Sequence, residues 1–221
     1  MQKFDTPTPV TAVLGIPAGR IRLIAADRTD TTVDVRPADA ARSRDTEAAE
    51  RIRVGYADGV LRIDAPEPGK RFLGHSGAVE VTVCLPAGSR VEAKASSGEL
   101  RGVGRLGAVA FEGAQAAVKL DEAAGARIAL QDGTATVGRL TGDAEISTLR
   151  GDLTVTEAAR GTLTLRTQQG DITFGAARGT SAALDAGTSH GRIHNALRND
   201  GAPGLTVHAT TAHGDITARS L

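Results

Sequence analysis

Along the C-terminal two-thirds of the chain, apolar and polar residues alternate in short runs, and each run opens at a glycine. After Gly151, Leu153 and Val155 alternate with Asp152, Thr154 and Thr156; after Gly161, Leu163 and Leu165 alternate with Thr162, Thr164 and Arg166. A period of two built from Thr, Val, Leu and Ile predicts strands with one buried face. Glycine at each break allows a positive φ or a tight bend without steric cost. The step recurs as Gly98-Glu99-Leu100, Gly151-Asp152-Leu153-Thr154, Gly170-Asp171-Ile172-Thr173 and Gly214-Asp215-Ile216-Thr217. Degenerate copies are Ala116-Ala117-Val118, Gly133-Thr134-Ala135-Thr136 and Gly191-Arg192-Ile193-His194. Successive starts lie 18, 17, 18, 19, 21 and 23 residues apart. A second series (Gly88, Gly107, Gly125, Gly142, Gly161, Gly179 and Gly204) interleaves with the first.

Two strands and two turns in about 18 residues make one coil of a β-solenoid, each coil adding a rung about 4.8 Å high. No coil buries its own inward face, so stability comes from contact between neighbours. A stack of antiparallel hairpins, one per repeat, is the alternative left open by spacing alone. A propeller needs blades of about 40 residues and does not fit.

The first 90 residues are less regular. Alternation predicts strands at Arg20–Ala25, Thr32–Val35, Arg51–Tyr56, Val60–Asp64 and Val79–Leu85, with Asp58-Gly59 as a hairpin turn. Asp39–Glu50 is the one stretch with helical character. Pro66-Glu67-Pro68-Gly69-Lys70 opens a mobile loop reaching about Gly77. The chain thus reads as a single all-β domain over residues 1–221, with an irregular N-terminal β cap and one short helix in residues 1–90 and regular repeats in 91–221.

Composition narrows the function. Lys+Arg and Asp+Glu are 26 each, so the net charge is zero and a general nucleic-acid binder is not expected. Five aromatic residues, Phe4, Tyr56, Phe72, Phe111 and Phe174, provide no platform for stacking sugars or bases. No apolar run is long enough to insert in a membrane. The lone Cys84, on the same strand face as Thr82, can form no internal disulfide and reads as an inert packed thiol. With no signal-like run in residues 1–7, a cytoplasmic location is expected.

Four stretches resemble a known family: Thr32-Val33-Asp34-Val35-Arg36-Pro37, Asp58-Gly59-Val60-Leu61, Leu85-Pro86-Ala87-Gly88-Ser89 and the repeated Gly-Asp-[Ile/Leu]-Thr step. Over nearly the whole chain the pattern is similar to the bacterial putative-adhesin family of unknown function built from β-strand repeats. The resemblance implies a right-handed parallel β-helix/solenoid. It implies no activity and no catalytic residues.

Several motifs invite chemistry. Gly187-Thr188-Ser189-His190-Gly191 matches a nucleophile elbow, but that device needs a helix after the serine, and Arg192-Ile193-His194 continues as strand. Gly102-Val103-Gly104-Arg105-Leu106-Gly107 matches a dinucleotide fingerprint, yet Ala108-Val109-Ala110-Phe111 alternates where a helix should start. Of the five histidines (His75, His190, His194, His208 and His213), His190 and His213 share one repeat position and should stack. Two imidazoles so placed could share a transition metal, although a structural zinc site takes four ligands. Asp152 and Asp171 are likewise equivalent and could hold a cation, with Arg150 and Arg192 nearby to neutralise them. Turn spacing explains all of these, so no catalytic, cofactor-binding or metal residue is assigned and no cofactor is expected.

A solenoid has two ends with unpaired backbone. Gly214–Leu221 is a complete repeat strand followed by no cap, so this C-terminal end is expected to bind another copy or a protein partner. The best functional reading is a non-catalytic structural or interaction scaffold, not an enzyme. The alternatives are a binder of cell-surface or envelope polymer in adhesion or stress response, and a carbohydrate-active β-helix hydrolase or lyase with acids clustered in one groove.

Overall fold

The computed structural model describes residues 1–65 and 77–221; the loop expected to begin at Pro66 lies in the remainder, outside the described residues. The N-terminal elements are β1 (Gln2–Asp5), β2 (Thr11–Ala26), β3 (Asp30–Pro37), α1 (Ser43–Arg51), β4 (Arg53–Ala57), β5 (Val60–Asp64) and β6 (Val79–Pro86). The repeat region comprises β7 (Arg90–Asp132), β8 (Ala135–Leu140), β9 (Ala144–Ser147), β10 (Leu153–Ala158), β11 (Gly161–Gln169) and β12 (Ile172–Ala176). It closes with β13 (Ala182–His190), β14 (Ile193–Ala196), β15 (Leu205–His213) and β16 (Ile216–Ser220).

Each coil contributes one strand to each of two walls, joined at a glycine corner. Register shows the stacking: Ala126, Ala144, Leu163, Val207 and Leu184 form one inward column, and Val118, Ala135, Leu153, Ile172, Ile216 and Ile193 another. The strand pairings from β7 onward among the described residues are all parallel, which excludes the stacked-hairpin alternative and establishes a parallel solenoid. Between the walls lies one apolar core running from Val10 to Ala218. Ala, Val, Leu and Ile fill it because like residues stack on like, and among the described residues Phe111 and Phe174 are the phenylalanines wholly inside. No buried side-chain polar atom among the described residues lacks a hydrogen-bond partner.

The order of rungs departs from the order of the chain at both ends. β2 turns the corner and lies in parallel between β5–β6 on one side and residues 90–104 of β7 on the other. Within the first 90 residues the strands β2, β5 and β6 join the parallel stack, whereas among the described elements β1, β3, β4 and α1 depart from the repeat and make the expected irregular cap. β3 and β1 add to β6 in antiparallel sense and β4 adds to β5 likewise, with Asp58 at φ 51° and Gly59 at φ 76° making the expected tight turn. The helix begins later than its composition suggests. Asp39 first closes a turn, its side chain accepting from the Ala41 N–H and its carbonyl from the Arg42 N–H. The buried carboxylate of Asp45 then accepts the Ala78 N–H at 2.9 Å, tying α1 to the chain entering β6.

At the opposite end the last coil in sequence, β15–β16, is inserted between β11–β12 and β13–β14. The expectation that Gly214–Leu221 forms the uncapped end is corrected here, since β16 is paired along both edges. The terminal rung is β13–β14. Passing one level needs a turn of two or three residues; skipping a level and returning needs the longer links 177–181 and 197–204.

Candidate functional site

The corners explain why the repeat requires its residues. A Cβ on Gly170 would lie 2.2 Å from the carbonyl oxygen of Gly151, and one on Gly214 would lie 2.0 Å from that of Gly170. The Gly151 and Gly170 turns are thus directly superposed, and the column passes through Gly133, Gly151, Gly170, Gly214 and Gly191 in spatial order. Three residues before four of these glycines stands a threonine. Thr148, Thr167, Thr211 and Thr188 donate their hydroxyls to the carbonyls of Gly133, Gly151, Gly170 and Gly214, at 3.0–3.3 Å. This internal ladder satisfies corner carbonyls that would otherwise face apolar surroundings. The repeated Thr-x-x-Gly spacing carried the signal, which was hidden because the threonines blend with the alternation.

Outside the corner runs an aspartate ladder. Oδ1 of Asp152 accepts the Asp171 N–H, Asp171 accepts the Asp215 N–H, and Asp215 accepts the Arg192 N–H, each at 2.8 Å. The equivalence of Asp152 and Asp171 is as expected, but the carboxylates are spent on backbone N–H groups of the next rung instead of converging on a common point.

The ladder ends at the terminal rung, and so does the cover over the core. In one inward column Ile172 and Ile216 are 0% exposed, whereas Ile193 is 44% exposed. In the other, Leu163 and Val207 are fully buried and Leu184 only half so. Among the described strands β13 pairs with β15 and β14 with β16, so each has one edge without a strand, although the Ala182 N–H at the start of β13 donates to the Arg198 carbonyl of the following link at 2.9 Å. At the other end of the stack β3 and β4 cover the edges of β6 and β5 and β1 covers β3, while β1 and β4 in turn pair along one edge. The candidate site is the edge β13–β14, where the inward residues Leu184, Ala186 and Ile193 are partly exposed.

Four of the histidines converge on this end. His190 and His213 stack face to face, ring centroids 4.7 Å apart and planes 3° from parallel. His208 pairs with Asp185 at 3.3 Å, and His194 lies in register with Thr217. His75 lies outside the described residues. Ser189 and His190 close β13 and are followed by a corner and by strand β14, so no helix presents the serine. Gly102 to Gly107 lie within β7; a Cβ on Gly102 would meet Leu106 and Leu120 at under 3 Å, and one on Gly107 would meet the Gly88 carbonyl. These glycines make room for neighbouring rungs. Cys84 is half-buried in β6, between Ile24 and Thr32.

An open groove of about 650 Å³ crosses one wall, lined among others by Arg90, Glu92, Arg127, Asp143 and Glu145. Two of its acids are engaged in the stack: Asp143 accepts the Thr162 N–H at 2.7 Å, and Glu145 lies 3.8 and 3.9 Å from Arg127 and Arg166. No helix of the described residues is long and apolar enough to cross a membrane.

Superposed two-strand coils with glycine corners and polar caps on the corner backbone define a parallel β-solenoid. More particularly, the chain belongs to the Toastrack DUF4097 family, whose model matches residues 18–219. Among solved structures it is similar to a putative adhesin from Bacteroides fragilis, at 12% identity and TM-score 0.48 over 98% of this chain and 95% of that one. It is similar also to a putative cell adhesion protein from Clostridium sporogenes (12%, 0.38, 100% and 98%) and to a putative lipid binding protein from Parabacteroides distasonis (12%, 0.43, 98% and 95%). No curated protein matches the chain.

Proposed function

We propose that this chain is a non-catalytic scaffold whose working surface is the free edge β13–β14, and that a second copy covers it by adding its own terminal rung. The observation that carries this is the inward column rising from 0% exposure at Ile216 to 44% at Ile193 with no strand beyond. A free edge is a template for strand addition, and isologous addition is the commonest route to a closed pair. Charge does not oppose addition of a second copy: Asp185 is the one charged residue of β13 and β14 has none, so any antiparallel register not centred on Asp185 brings no like charges together. The zero net charge of the chain adds little repulsion. Catalysis is disfavoured because Ser189 lies before a strand and the groove acids Asp143 and Glu145 are held by backbone and arginine partners.

Light scattering of the full chain tests the reading against Ile193→Lys and Ala186→Pro, which place a charge in the apolar end and a ring on the outer edge, since Ala186 shares the outward backbone parity of Ala182. A dimer in the unaltered chain, reduced to monomer by either change, is expected. A monomer in all three, or a dimer in all three, overturns the proposal. Cell fractionation supplies the location; recovery outside the cytoplasm favours the envelope-polymer alternative.

A further inference from the structure

We infer that His190 and His213 form a two-imidazole binding site for a divalent transition-metal ion of the copper, nickel and zinc group. The pair is fixed by the fold: the two residues are register partners on adjacent strands β13 and β15, with rings 4.7 Å apart and 3° from parallel. Both are exposed, and neither ring forms a hydrogen bond or ion pair with a side chain among the described residues, unlike His208, which Asp185 holds. Their chain neighbours, Ser189, Gly191, Ala212 and Gly214, are small and leave the ring edges open. The next residue in the same outer column is neutral Gln169, and beyond it Arg150 is drawn to Asp132 at 3.0 Å.

Metal–imidazole bonds of about 2.0–2.1 Å put two nitrogens on one ion roughly 3–4 Å apart, depending on the bond angle. The ring tips must therefore converge modestly from 4.7 Å, which rotation about exposed side-chain bonds allows. No group of three or more His, Cys, Asp or Glu among the described residues could enclose an ion. The site thus supplies two ligands and water completes the sphere, which excludes a closed tetrahedral zinc centre and favours copper(II) by the general affinity order. An ion so held bridges the terminal rung to the inserted coil and stabilises the rung that has only one neighbour. The inference is independent of self-association.

The test is calorimetric titration of the full chain with copper(II), nickel(II) and zinc(II) chlorides, with amide hydrogen exchange of β13 followed in parallel. One ion per chain, copper bound most tightly, and slower exchange in β13 on loading are expected. His190→Gln and His213→Gln should each weaken binding by at least about the 10–100-fold that loss of a supporting residue costs at metal sites. His194→Gln and His208→Gln should leave it unchanged. No binding, binding undiminished in His213→Gln, or equal loss in His208→Gln overturns the assignment.

Discussion

Replacing Gly170 by alanine should cost far more than the same change at Gly179, and the difference measures how closely the coils are superposed. At Gly170 the backbone has φ +147° and the new Cβ would lie 2.2 Å from the Gly151 oxygen, 2.5 Å from its carbonyl carbon and 3.0 Å from the Asp152 carboxylate. Three bonds cross the same corner: Gly151 N–H to Gln169 at 2.8 Å, Gly170 N–H to His213 at 2.9 Å, and the Thr167 hydroxyl to Gly151 at 3.1 Å. Opening the corner by the roughly 1 Å that relieves the clash is a large fraction of a rung of about 4.8 Å. The strained backbone costs about 1–3 kcal/mol and each of one or two weakened hydrogen bonds about 1 kcal/mol, or roughly 2–5 kcal/mol together. At Gly179, φ is +77° and nothing lies within 4 Å, so only backbone strain of about 1–2 kcal/mol applies. For a chain of this size 1 kcal/mol moves Tm by roughly 2–4 °C, so Gly170→Ala should melt several degrees below Gly179→Ala. Thermal unfolding of the two variants side by side decides it. Equal Tm values would refute direct superposition of the Gly151 and Gly170 turns.

Thr167→Val keeps the shape of the inner ladder but leaves the Gly151 carbonyl without its donor, and should destabilise by about 1–2 kcal/mol in urea unfolding, with Thr167→Ser restoring most of it. Truncation after Pro203 removes an inner coil, not the end. Leu205, Val207 and Ile216 alone bury about 1.5–3 kcal/mol each, and hydrogen exchange should show loss of protection in β13–β14 as well as along β11–β12. Burial raises the Asp121 carboxyl, but hydrogen bonds from Arg101 and the Gly104 N–H, with the charges of Arg101 and Lys119, outweigh it and hold the group below its ordinary 3.8. A lowered folded-state value means the contribution is complete above the unfolded value of 3.8 and lost as pH falls below it through the folded one. Asp121→Asn should therefore narrow the gap in urea midpoint between neutral pH and about pH 3, modestly, because the pair is partly exposed.

The coil, its glycine corners and its inward faces were legible along the chain because each is a local pattern: a period of two sets the strands, and positive-φ glycines set the breaks. The equivalence of Asp152 with Asp171 and of His190 with His213 followed from spacing alone, and both pairs are adjacent in the fold. The threonine ladder was equally local but concealed, since Thr167 occupies a position that alternation reads simply as inward.

Which coil lies on which was decided by the tertiary structure. Successive rungs offer nearly the same inward residues (Leu153, Ile172, Ile216), so local pattern cannot distinguish one neighbour from another. The order is set instead by how far the connecting segments reach and by which rung leaves least apolar surface bare. The spacings of 21 and 23 residues around Gly191 held the trace of that choice, the extra residues being what a chain needs to skip a level and return. Alternation and glycine thus determined that this chain winds into stacked coils, while long-range packing determined that β13–β14, not the C-terminal strand, would be left at the edge.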